Sequence, residues 1–195
     1  MKLSLTREDL IEALQELIHE LRARKLTGDI RIVGGAALAL SYFSRDVTQD
    51  IDALNMRGST NEEVVEAARA VATRLDLNDN WLNFEVNRID ALPTLGREVQ
   101  WIQIFSSAGI TIHVASAEVL LAMKMRASRP GRDVADIRAL LELVGIRDIA
   151  TAELLYEDYY PGDALSDRAI QILQNLLTEE VASPITAPPP PQFEG

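Results

Sequence analysis

The chain has 195 residues with 30 acids against 19 bases, a net charge of −11, no cysteine and two histidines. That length suits one sizeable domain, and the composition excludes disulfides, thiolate metal sites, cysteine nucleophiles and the usual protein-built zinc site. No apolar run approaches the roughly 20 residues of a membrane span, and Met1 to Thr6 lead into an amphipathic segment rather than a signal peptide; a cytoplasmic protein with no membrane partner is expected.

In chain order, Thr6 is the predicted N-cap of a helix over 7–25, with Leu10, Ile11, Leu14, Leu17, Ile18 and Leu21 at helical spacing. Gly28 ends it, and Asp29 to Val33 reads as a strand. Gly34-Gly35 breaks that strand, Ala36 to Leu40 favours helix, and a second strand follows at Asp50 to Asn55. Glu62 to Leu75 is helical. Asn78 to Gly96 shows no period and is expected to be irregular. Val99 to Phe105 and Ile110 to Val114 are strands of a hairpin. From Ser116 the chain is helical, broken at Pro130-Gly131 and Gly145, with later helices near 148–158 and 165–178. Ser183-Pro184 through Pro188–Pro191 to Gly195 is expected to be a solvated tail. The predicted fold is α+β: residues 1–115 as an α/β core with a small mixed sheet and flanking helices, 116–180 as a helical C-terminal part, and 181–195 as a flexible proline-rich tail.

Charge is unevenly spread. From Asp148 onward the balance is −8, leaving −3 for residues 1–147. This acidity opposes loose binding to nucleic acid, although Lys124, Arg126, Arg129, Arg132 and Arg138 against Asp133 and Asp136 form a local +3 patch.

Two motifs carry chemistry. Gly34 and Gly35, between a strand and a helix, let backbone approach a ligand and offer helix N–H groups to phosphate oxygens. Asp50 and Asp52, alternate in a strand, share one face and repel each other unless a cation lies between them; hard ions such as Mg²⁺ take such oxygen ligands together with phosphates. Separately, a tight turn accounts for the glycines and an acidic edge strand for the aspartates; together and in this order they favour a phosphate-and-metal site. Lys124 sits on or beside the apolar stripe of its helix, and Asp133 and Asp136 align with Ile137, Leu140, Leu143 and Val144. Charges there need partners, so a structural Lys124–Asp133 or Lys124–Asp136 pair is as good a reading as a catalytic one.

Gly34 to Leu40, then Arg45, Thr48 and Asp50-Ile51-Asp52-Ala53, resembles the signature of the nucleotidyltransferase superfamily, and most closely the branch of AbiEii-type and MenT-like toxin nucleotidyltransferases and their bacterial relatives. Leu120 to Ala127 with Lys124, Arg132 to Ile137, Trp81-Leu82-Asn83 and Tyr159-Tyr160-Pro161 resemble further landmarks of that branch. The resemblance implies that Asp50 and Asp52 bind Mg²⁺ and act in catalysis with Lys124 and Asp133. It also implies that Gly34, Gly35, Lys124, Arg129 and Asp136 hold the nucleotide. Two departures accompany it. The spacer between Gly35 and Asp50 is 14 residues, slightly long. A third acid expected on a later strand is replaced by His113 on Ile110 to Val114, so that the third carboxylate comes from Asp133, Asp136 or Glu98, or activity is weakened. His113 reads either as a general base or as a packed strand residue.

The expected function is Mg²⁺-dependent transfer of a nucleoside monophosphate from a nucleoside triphosphate such as ATP to an acceptor hydroxyl on tRNA, protein or a small molecule. A toxin role paired with an antitoxin protein follows from the resemblance alone. The alternative is a weak or inactive member of the fold that binds nucleotide or a partner.

Overall fold

The Thr6 hydroxyl accepts from the Asp9 backbone N–H at 3.2 Å while the Asp9 carboxylate accepts from the Thr6 N–H at 3.0 Å. This reciprocal capping box starts the first helix where the sequence predicts. The computed structural model describes residues 2–43, 47–88, 92–178 and 186–194; Arg45, and Ser183-Pro184 of the expected tail, lie outside them. Helix α1 spans Arg7–Ala23 with Leu10, Ala13, Leu14, Leu17, Ile18 and Leu21 buried. Strand β1 (Gly28–Ile32), helix α2 (Gly34–Ser41), strand β2 (Ile51–Gly58) and helix α3 (Asn61–Leu75) follow. A second capping box, Thr60 with Glu63, opens α3, and Arg74 of α3 pairs with Glu20 of α1 at 2.6 Å.

Strands β3 (Leu82–Asn83), β4 (Trp101–Ser107) and β5 (Ile110–Ala115) complete a mixed sheet of order β3-β2-β1-β5-β4. β1 is antiparallel to β2 and parallel to β5, β3 runs parallel to β2, and β4 and β5 form the expected hairpin. At its turn Ala108 and Gly109 have φ of 50° and 79°, the positive values that a two-residue type I′ turn requires. Side chains alternate across the sheet. Ile30, Ile32, Ile51, Ala53, Ile110, Ile112 and Val114 are fully buried on one face; Asp29, Arg31, Asp52, Thr111 and His113 belong to the other.

Two compact units result. One comprises Met1–Ile89, Trp101–Ala115 and Ala187–Gly195, and holds the sheet with α1 to α3; the other comprises Asp90–Gln100 and Ser116–Thr186. The second contains α4 (Ala117–Ala127), α5 (Val134–Val144), α6 (Ile149–Tyr159) and α7 (Asp167–Thr178). Gly145, with φ of 79°, ends α5 in the left-handed conformation. The architecture is α+β, as predicted.

Two expectations need correction. The stretch 78–96 is not wholly irregular: Leu82-Asn83 pairs with Ile51-Asp52, followed by a 3₁₀ turn at Glu85–Arg88. Two residues are too few to show a period, and this strand is held from outside. Trp81 is fully buried, donates its indole N–H to the Ala68 carbonyl at 2.9 Å, and accepts the Ile51 N–H on its own carbonyl at 2.6 Å. The final residues also pack. Arg7 donates to the Pro189 carbonyl, the Glu194 N–H donates to Gln15 Oε1 at 2.7 Å, and the Phe193 ring meets Phe105 edge-on at 5.8 Å. Proline-rich chain has no hydrogen bonds of its own to break, so side chains of α1 satisfy its backbone at little cost.

Candidate functional site

In the first unit the β1–α2 junction and the start of β2 converge. Gly34 takes φ of 66°, and a Cβ there would lie 3.3 Å from Asp52 Oδ2; the absent side chain is what lets the turn approach the aspartate. Val33, the N-cap of α2, gives no side-chain cap, so the first N–H groups of α2, including that of Gly35, are not satisfied by a capping side chain. The Val33 N–H donates to the Asp52 carbonyl at 2.9 Å, joining the turn to β2. Asp50 lies one residue before β2 and is half-buried, as is Asp52. Asn83 on β3 is in register with Asp52 and donates to Asp50 Oδ2 at 3.2 Å. Gly34, Asp50, Asp52 and Asn83 are thus brought together by a turn and two neighbouring strands. The donor set fits a hard divalent cation: two carboxylates and space left by a glycine, beside a helix N-terminus suited to anionic oxygen.

His113 lies two strands away from β2, on β5 and in register with Arg31. Its Nδ1 is 3.0 Å from Asp29 Oδ1, and Asp29 also receives Thr111 Oγ1 at 3.1 Å and Arg31 Nη2 at 3.1 Å. Burial pushes the Asp29 carboxyl up, but the Arg31 and Thr111 hydrogen bonds and the neighbouring charges outweigh it and hold it below the usual carboxylate range. Among the described residues no three His, Cys, Asp or Glu side chains are grouped so as to hold a metal. Glu98 is exposed in the second unit.

The second unit contains the other predicted residues. Lys124, 6% exposed, reaches Asp133 Oδ1 at 2.7 Å and Asp136 Oδ2 at 2.8 Å. Asp133 is 0% exposed and also accepts from Arg129 Nε at 2.8 Å, Arg129 Nη2 at 3.0 Å and the Arg129 N–H at 3.0 Å. Burial raises the Asp133 pKa, but the hydrogen bonds from Arg129 and Lys124 and the Lys124 charge prevail, leaving it at about 2. The structural reading of Lys124 is therefore realised, with both aspartates at once, and the network ties α4 to α5. Within the +3 patch Lys124 and Arg129 are paired with its two aspartates, and Arg126 lies 3.5 Å from Asp163, outside the patch, and stacks over Tyr160. Net charge along the sequence did not reveal this, because it counts charges without their partners. Asn83 was visible only as part of Trp81-Leu82-Asn83; an amide two residues after a tryptophan does not by itself point to an aspartate 33 positions earlier.

A family model described as a nucleotidyltransferase of unknown function (DUF6036) matches residues 8–175. The chain belongs to this family. As a DUF6036 nucleotidyltransferase it carries both its glycine turn and its aspartate pair inside the matched segment. No curated protein and no solved structure matches the chain. Among the described residues no helix is long and apolar enough to cross a membrane.

Proposed function

We propose that this DUF6036 protein transfers a nucleoside monophosphate from a nucleoside triphosphate to an acceptor hydroxyl, with Mg²⁺ held by Asp50 and Asp52. The observation that carries the reading is the packing of Gly34, at the uncapped start of α2, against Asp52. In the transfer, the acceptor oxygen bonds to the α-phosphorus, the bond from that phosphorus to the bridging oxygen breaks, pyrophosphate leaves, and the hydroxyl proton passes to solvent or a base. Bound Mg²⁺ supplies charge neutralisation at the phosphate oxygens and acidifies the attacking hydroxyl. Gly34, Gly35 and the α2 N–H groups hold the phosphates, and Asn83 steadies Asp50. Lys124 and Arg129, paired with Asp133 and Asp136 inside the second unit, take a structural part in this reading. Asp133 and Asp136 serve by fixing Lys124, since the carboxylates are enclosed on it.

ATP is the default donor, and the AbiEii/MenT-like resemblance makes tRNA the first acceptor to try and a toxin–antitoxin pairing the first context. The net charge of −11 favours a protein or small-molecule acceptor instead. A bacterial, cytoplasmic setting belongs to the same proposal. The test is transfer from four α-³²P-labelled nucleoside triphosphates with Mg²⁺ onto total tRNA and total protein. Label should appear with wild type and vanish in Asp50→Ala and Asp52→Ala; equal labelling by the variants refutes the mechanism. A nucleotide- or partner-binding role is the second reading, favoured by the absence of a three-carboxylate group among the described residues. Labelling abolished by EDTA and restored by Mg²⁺ would exclude it.

A further inference from the structure

An ionised carboxylate only accepts hydrogen bonds, so an amide beside it must present its NH₂ group. Asn83 does so under constraint. Its Oδ1 accepts the Glu85 backbone N–H at 3.2 Å, and its Nδ2 donates to Asp50 Oδ2 at 3.2 Å. Because a backbone N–H occupies the oxygen end, the nitrogen end necessarily faces the aspartate. The strand carrying Asn83 is itself anchored by Trp81, whose indole N–H and carbonyl bind α3 and β2. Asp50 is held on its backbone as well, through Thr48 Oγ1 donating to its carbonyl at 3.3 Å. Asp50, just outside a strand, is therefore held at two points, its carboxylate by Asn83 and its backbone carbonyl by Thr48.

We infer that Asn83 is a positioning residue for Asp50: its amide orients that carboxylate toward the divalent cation and supplies a neutral donor beside the aspartate pair. This rests on the reading of Asp50 and Asp52 as cation ligands. Without a donor at position 83, Asp50 gains rotamer freedom and faces the Asp52 charge with less compensation. With an acid at position 83, a third negative charge would draw a cation more strongly and destabilise the metal-free protein. Hydrogen bonds to ligating groups typically change metal affinity about 10- to 100-fold.

The full chain is compared as wild type, Asn83→Ala, Asn83→Asp and Asp50→Ala by two measurements. The first follows the Asn83 side-chain amide signals in ¹⁵N–¹H spectra without metal. Asp50→Ala should move them; unmoved signals overturn the inference, even where wild type binds cation and the proposed function stands. The second measures Mn²⁺ affinity by electron paramagnetic resonance beside thermal unfolding of the metal-free protein. Asn83→Ala should weaken Mn²⁺ binding about 10-fold or more. Asn83→Asp should bind Mn²⁺ at least as well as wild type while melting lower. Wild-type affinity in Asn83→Ala, or affinities that simply follow melting temperature in both variants, overturns the inference as a mere strand prop. If wild type binds no Mn²⁺ although the amide signals answer to Asp50→Ala, the cation reading of the aspartates fails, and the inference falls with it.

Discussion

Replacing Asp133 with alanine removes a carboxylate that is 0% exposed and accepts from Lys124 Nζ at 2.7 Å and from three Arg129 donors at 2.8 to 3.0 Å. Arg129, with a side chain 47% exposed, can turn to water. Lys124, with a side chain 7% exposed, cannot, and keeps only Asp136 of its two carboxylate partners. Breaking a buried pair by removing one partner costs about 3–5 kcal/mol, and the surviving Asp136 contact places this case near about 3. At roughly 2–4 °C per kcal/mol for a chain of this size, the melting temperature falls by about 6–12 °C. The pH dependence supplies an internal check. The folded pKa of about 2 lies below the unfolded reference of 3.8, so this stabilisation is complete above about pH 4 and lost as pH falls toward 2. That gap corresponds to about 2 kcal/mol. Urea unfolding at pH 7 and pH 2 is the assay: the deficit of Asp133→Ala should be about 3 kcal/mol at neutral pH and shrink to about 1 in acid. A deficit below about 1 kcal/mol at pH 7, or one that ignores pH, refutes the reasoning.

Two further changes test the first unit. Gly34→Ala places a methyl 3.3 Å from Asp52 Oδ2 at φ of 66°; it should cost about 1–2 kcal/mol in stability and weaken nucleoside triphosphate binding by calorimetry. Gly131→Ala, at φ of 71° with open space around it, should share the strain and leave binding unchanged; equal binding by both variants would remove Gly34 from the site. Phe193→Ala deletes the edge contact with Phe105 and should cost about 1 kcal/mol, read as faster amide exchange in α1. Unchanged exchange would mean that the C-terminal segment adds nothing to that helix.

Local features were legible in the sequence because they depend on neighbours a few residues apart. The Thr6 cap, the buried stripe of α1, the hairpin at Ala108-Gly109 and the breaks at Gly131 and Gly145 all follow from spacing and backbone preference. So did the pairing of a glycine turn with alternate aspartates, and the need of Lys124 for a carboxylate partner. The segment that the family model matches, residues 8–175, contains those motifs.

What spacing did not contain was which distant residues meet. Strand order β3-β2-β1-β5-β4 is a property of the whole sheet, and it puts Asn83 rather than His113 beside the aspartates. Lys124 had two candidate partners nine and twelve residues on, and packing of α4 against α5 supplied both. The last residues looked unable to pack because they lack a periodic apolar face, yet α1 and β4 provide the donors, acceptor and ring that they need. By itself the sequence determined the helices, the turns and the identity of the charged groups, since these are set by short-range geometry. Only the tertiary structure decided which charges are matched and which aspartate is steadied, because desolvation and hydrogen-bond register exist only once remote segments are in contact.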